Sequence, residues 1–334
     1  MQFLLRKILI LISLSSLLST GCLALPSPTY PFCDPNLHQQ TKRALHKIYA
    51  SDRASIPDAL PERIQYFSQL FLDKPYALTA LGEGLSGKFD QAPLYRFDAF
   101  DCQTYVETVL ALALSDSASH FKRCMQNIRY AHGNIEYTQR HHFTSPDWNT
   151  FNQQQGMLQD ITTTIQDQNQ NASARYAETI IHPANWYQHF KVDKIRLCSA
   201  SSTETKQRLH RLQHLAKFLP AKTSRIAYLP IQALITKDKN SQYLLDQIPS
   251  GAIIEIVRPN WDLTKAIGTH LNVSHIGLAI REQGELYFYN ASSLTTKVYK
   301  PTLVDYLISM LSQPTVQGIN VQIVLPSKMC RFAN

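Results

Sequence analysis

Long apolar runs are almost absent from this chain of 334 residues. The one clear run, "ILILISLSSLLS" at 8–19, is shorter than the roughly 20 residues a spanning helix needs, and no second run could anchor the chain. A polytopic membrane protein is excluded. No internal repeat is present, which removes the stacked-repeat architectures. No H-E-x-x-H or comparable ligand spacing occurs. His141, His142 and His182 are available, but the adjacent His141 and His142 cannot share a helical face as a metal pair, so no metal and no cofactor is expected. A net charge of +8 comes without any nucleic-acid recognition motif, and nucleic acid is therefore not an expected partner. Cysteine is sparse, at six residues.

What is present begins with an export signal. Arg6 and Lys7 precede the apolar run, and residues 1–21 read as a signal peptide. "LSTGCLA" then leads small residues into Cys22 in the manner of a bacterial lipoprotein site, with Ser19 where a bulkier aliphatic residue is usual. Two routes stay open, lipidation of Cys22 or ordinary cleavage nearby, for example after Ala24. Either route sends the mature chain out of the cytoplasm, to the periplasm or envelope, and a membrane is touched only through a lipid on Cys22. Without Cys22, the residues Cys33, Cys102, Cys124, Cys198 and Cys330 remain. In an oxidising compartment an odd number leaves one thiol free, and the pairing of the others is not legible.

At 44% hydrophobic the rest of the chain can bury a core. "LPSPTYPFCDP" is Pro-rich and aperiodic, so 22–36 reads as a tether and 37–334 as one domain. Helical patterns follow in "NLHQQTKRALHKIYA" and "PERIQYFSQLFL". Gly82, Gly84 and Gly87 then interrupt regular structure ahead of a third helix starting near Asp101. From 115 to 225 the chain is polar and is expected to be helical or irregular, with a helical insertion over about 152–225 and a surface loop at "DQNQNAS". Basic residues concentrate between 191 and 225, either as a solvated helix face or as an attraction for an anionic polymer. Strand signals dominate later, in "SRIAYLPI", "GAIIEIV", "SHIGLAI", "ELYFYNAS" and "NVQIVLP". Helices first and an antiparallel sheet second is the α+β pattern.

One stretch, "YRFDAFDCQTYVETVLALAL" at 95–114, carries chemistry. With Asp101 as N-cap, Cys102 falls in the first turn on the stripe of Val106, Val109, Leu110 and Ala113. Unpaired N–H groups there favour a thiolate and could bind an oxyanion, while the Asp101 carboxylate opposes the thiolate unless it is occupied in capping. A buried structural cysteine is the competing reading. A nucleophile needs a base, and His275 in "NVSHIGLAI" shares a strand face with Gly277 and Ala279, leaving room for the cysteine helix to pack there. Asn290 ends the next strand and can hold the imidazole by a hydrogen bond. Alone it would read as a strand-end turn residue.

These blocks, with "KPYALTALGEG" and "RHHFTSPDWN", resemble the N-acetylmuramoyl-L-alanine amidase-like branch of the NlpC-type papain-like cysteine peptidases over roughly 65–330. The resemblance implies a papain-like α+β fold, with a catalytic helix on a five- or six-stranded antiparallel sheet. It implies hydrolysis of the muramoyl to L-alanine amide of peptidoglycan or muropeptides. Cys102 would be the nucleophile, its own N–H part of the oxyanion site, His275 the base and Asn290 the third polar residue. Arg140, His142 and Trp148 would form a substrate wall, Arg140 gripping carboxylates and Trp148 stacking on a sugar, with Tyr76 a further cleft residue. Alternatives are an endopeptidase cutting γ-D-glutamyl to diaminopimelate, a zinc amidase, and an envelope protein that binds peptidoglycan without cutting it. The segment 152–225 would wall the cleft and restrict it to small fragments.

Overall fold

The computed structural model describes residues 32–327 and Cys330. The signal segment, Cys22 and most of the tether lie outside these residues. The chain enters helix earlier than expected, because the Asp34 carboxylate caps α1 (Pro35–Ala50) by accepting the Asn36 N–H at 2.8 Å. The helices α2 (Leu60–Leu70), α3 (Cys102–Ala113) and α4 (Ala118–Arg129) follow, then the short α5 (Thr150–Gln154), α6 (Pro183–Gln188) and α7 (Ser202–Ala216). Later helices are α8 (Ile231–Ile235), α9 (Lys239–Asp246), α10 (Thr264–Ile267) and α11 (Leu303–Met310).

The strands are β1 (Leu158–Asp160), β2 (Arg175–Ile181), β3 (Lys222–Pro230), β4 (Ala252–Leu263), β5 (Thr269–Glu282), β6 (Glu285–Ser292), β7 (Lys297–Tyr299) and β8 (Gly318–Val324). They form one sheet in the order β2-β3-β8-β4-β5-β6-β7, with β1 also on β8, and every pairing is antiparallel. Eight strands exceed the expected five or six. Two of the extra ones, β1 and β2, come from 152–225, so the segment expected to be a helical insertion holds two sheet strands as well as α6 and α7. In β2, Ala177, Thr179 and Ile181 are buried alternately, and this half-buried pattern is what pairs it along β3.

Helices cover both faces of the sheet. On one face Ile253, Ile276, Leu278, Ile280, Tyr289 and Ala291 share a core with residues of α1 to α4. On the other Ile254, Ile256, Ala279, Leu286, Phe288, Ile319 and Val321 pack with α8, α9 and α11. Central strand residues are therefore buried on both sides, which explains why "GAIIEIV" is apolar at consecutive positions apart from the buried Glu255. Two disulfides, Cys33–Cys198 and Cys124–Cys330, close separations of 165 and 206 residues.

Candidate active site

The start of α3 is built by its cap. Asp101 Oδ1 accepts the Thr104 N–H at 2.8 Å and Thr104 Oγ1 accepts the Asp101 N–H at 3.0 Å, a reciprocal box that fixes the first turn. Asp101 Oδ2 accepts the Ala80 N–H at 3.3 Å. The carboxylate is thus occupied, as a thiolate at this position requires, although its charge still acts on the sulfur. Burial first and Asp101 second push the Cys102 thiol up to about 12, while the backbone N–H groups of Ile276, Gln103 and Cys102 pull it down. Cys102 is the cysteine outside both disulfides among the described residues, and it is partly exposed.

His275 and Asn290 come together as the sequence suggested. The His275 Nε2 to Asn290 Oδ1 distance is 3.0 Å, and Asn290 Nδ2 donates to the Phe288 carbonyl at 3.0 Å. That second bond fixes the amide, so Oδ1 faces the imidazole and only a protonated Nε2 can donate to it. Nδ1 is left with its lone pair in the neutral ring. Burial lowers the His275 pKa and the Asn290 bond opposes the shift. The ring lies nearly parallel to Tyr306 at 6.0 Å and edge-on to Phe288 at 5.9 Å.

The cysteine helix packs on the face of β5 opposite to the one expected. Room beside Gly277 does not admit α3, because the Phe288 ring fills it: a Cβ on Gly277 would lie 2.5 Å from that ring. Instead α3 packs on the Ile276, Leu278 and Ile280 face. The β5–β6 ladder runs from Glu282/Glu285 to Leu278/Tyr289 and ends there. Two residues further along, the Ile276 N–H reaches the Cys102 sulfur, so the thiol meets β5 one residue from His275. Thiol and imidazole are not hydrogen-bonded to each other in this resting arrangement, which is common before substrate closes such a site.

The expected substrate wall divides. Trp148 is fully buried in the core between α3, α4 and the sheet, so its face is closed to a sugar, a correction that follows from its apolar surroundings. His142 donates from Nε2 to the Tyr137 carbonyl at 2.8 Å and packs on Trp186 at 4.8 Å, and burial holds its pKa well below 6.5. Arg140 lies 3.7 Å from the buried Asp90 carboxylate. Both line a cavity of about 260 Å³ together with His141, Asp147, Phe151 and Lys222, and neither Cys102 nor His275 is in its wall. His182 is separated in sequence from His141 and His142, and no three metal-ligating side chains converge among the described residues. Tyr76 is nearer the thiol: its backbone bridges to Phe100, two residues before Cys102.

Four contributors were missed from sequence. The Ile276 amide and the Ala80 amide are backbone groups without a residue signature, and Tyr306 comes from a helix remote in the chain. Only Phe288 could have been found, since it shares a strand face with Asn290.

Together these features define an α+β protein in which His275 and Asn290 pair beyond the end of one sheet ladder and the Cys102 sulfur meets the backbone N–H of the neighbouring Ile276. The model of the AmiA-like, N-acetylmuramoyl-L-alanine amidase-like family matches residues 66–313, and the chain belongs to that family. A solved protein of Legionella pneumophila is 42% identical, covers 88% of this chain and 97% of its own, and superposes with a TM-score of 0.84. An N-acetylmuramoyl-L-alanine amidase of Bacteroides uniformis is 24% identical over 79% of this chain and 98% of its own, with a TM-score of 0.55. A putative xylanase of Bacteroides fragilis is also 24% identical, over 78% and 100%, at 0.53. At that identity the last two show a shared fold. No curated protein matches the sequence. At family level the function is N-acetylmuramoyl-L-alanine amidase-like.

Proposed function

We propose that this protein is an exported cysteine amidase of the NlpC-type papain-like group, cutting the amide between N-acetylmuramic acid and L-alanine. The observation that carries the reading is the amide-fixed His275–Asn290 pair beside the residue whose N–H meets the Cys102 sulfur. Neutral His275 takes the thiol proton on Nδ1 as the sulfur attacks the lactyl carbonyl carbon. The developing oxyanion is held by the Cys102 N–H at the first turn of α3. His275 then returns its proton to the departing alanine nitrogen, the C–N bond breaks, and a thioester remains. Water adds to the thioester with His275 again as base, releasing the muramic acid carboxylate and the thiol.

A thiol held up to about 12 is a neutral nucleophile at rest, so proton transfer to His275 accompanies attack rather than preceding it. The mature chain acts in the periplasm or envelope, with Cys22 lipidated or removed, which suits its two disulfides. Labelling with a radioactive or clickable fatty acid in the native host tests the anchor: incorporation lost in Cys22→Ala supports it, and an unlabelled, freely released wild type contradicts it. Defined muropeptides test the bond, since free peptide and intact N-acetylmuramic acid arise only from the muramoyl amide. Products split inside the peptide would move the reaction to the γ-D-glutamyl bond.

A further inference from the structure

The turn at 79–81 is strained and doubly held. Thr79 is β-branched yet sits at φ 55°, where such residues are rarely found. Its carbonyl accepts from Arg196 Nη1 at 2.6 Å, and the Leu81 carbonyl accepts from Arg196 Nη2 at 3.0 Å. The same guanidinium pairs with the buried Asp90 carboxylate. Between those two carbonyls, the Ala80 N–H points the other way, onto Asp101 Oδ2. One arginine therefore grips the outer side of the turn while the cap of the cysteine helix takes its inner side.

Arg196 is itself fixed. Its N–H donates to the Phe89 carbonyl at 2.9 Å, and its carbonyl accepts the Gln91 N–H at 2.6 Å. Two residues on, the Cys198 N–H donates to Gln91 Oε1 at 2.7 Å, and Cys198 is bonded to Cys33. Fork geometry suits this task, because a planar guanidinium serves the two carbonyls and the carboxylate from separate nitrogens, whereas an ammonium would have to do so from one point.

We propose that Arg196 is a positioning residue for Cys102: by holding the strained 79–81 turn it keeps the Ala80 amide on the Asp101 carboxylate, and so keeps that carboxylate in its capping role beside the thiol. The assignment rests on Cys102 being the nucleophile, but its test does not depend on hydrolysis. An unbraced Asp101 leaves its charge freer to oppose the thiolate, so the thiol reacts more slowly.

The test is the second-order rate of iodoacetamide on Cys102 in the full mature chain at one mildly alkaline pH, read by mass spectrometry with Cys102→Ala as blank. Arg196→Gln should slow alkylation roughly tenfold, the equivalent of one unit in the thiol pKa. Arg196→Lys, which keeps the charge but not the double grip, should behave alike. Adding Thr79→Gly to Arg196→Gln should restore most of the rate, because glycine adopts φ 55° without the strain that threonine carries there. An Arg196→Gln protein that melts earlier but is alkylated at the wild-type rate would overturn the proposal, as would full recovery in Arg196→Lys or no recovery in the double variant. If wild-type alkylation leaves hydrolysis intact, the nucleophile assignment fails, while the rate comparison still decides the role of Arg196.

Discussion

His275 sets the pH behaviour of the site. Burial lowers its pKa from 6.5, so the neutral ring that accepts the thiol proton persists below that value, and the acid limb of kcat is expected below pH 6.5. The Asn290 bond favours the charged ring, and Asn290→Ala should therefore move the limb further down while lowering kcat by about 10- to 100-fold through loss of ring orientation. A limb that moves up would contradict this assignment. Trp148 gives the complementary case. With no exposed surface, Trp148→Ala should cost about 3–5 kcal/mol of stability and leave KM unchanged at a temperature where the protein stays folded; denaturant melts beside steady-state kinetics would check both. The sequence could name Trp148 but not its burial, since an aromatic after "TSPD" suits a cleft wall or a core equally. Cys102, His275 and Asn290 stood out because each lies at the end of a periodic segment: Cys102 in the first turn of its helical stripe, His275 on the small-residue face of its strand, and Asn290 at a strand end.

Among elements, the β5–β6 pair and α3 decide where the thiol goes. Gly277 has Phe288 across it and the Tyr289 carbonyl 2.6 Å from where a Cβ would stand. Gly277→Ala should shift Phe288 against the His275 ring, lowering stability by about 1–3 kcal/mol and kcat with it; a fully active variant with unchanged melting would show that the ring is not fixed by this contact. From sequence, glycine beside histidine correctly signalled close packing, but periodicity cannot say which element fills the space. The α3 helix is buried from Thr104 to Ala113 all round, so the stripe of Val106, Val109, Leu110 and Ala113 could not say which side meets the sheet. The β2 strand stayed hidden for a different reason: "RYAETII" alternates over only seven residues inside a polar, helix-rich region, and its partner β3 begins about forty residues later. Because β2 is part of the sheet, 152–225 supplies one edge of it.

Across the whole molecule, buried acids make stability depend on pH. Burial raises Glu255 from 4.5 to about 8, against the hydrogen bonds it accepts from Asn149 at 2.9 Å and Gln322 at 3.3 Å. Glu83 is raised to about 7 by burial and then Asp90. A raised carboxyl binds its proton in the folded state, so stability falls as pH climbs from about 4.5 through these values. Thermal melts should show that decline, and Glu255→Gln should flatten its upper part; melts that rise across this window would contradict the protonated form. The disulfides act on the same scale, and reducing either should cost about 2–5 kcal/mol in denaturant titrations. The α+β class was readable from the order of segments, whereas the pairing of cysteines was not, because bonds across 165 and 206 residues depend on the finished fold.

The most direct measurement is mass spectrometry of defined muropeptides incubated with the mature protein, wild type beside Cys102→Ala. Wild type should release free peptide with intact N-acetylmuramic acid, and the variant should lose at least about a thousandfold in rate. The same products from Cys102→Ala at a comparable rate would contradict the thiol as nucleophile, and unchanged muropeptides with both proteins would contradict the amidase itself.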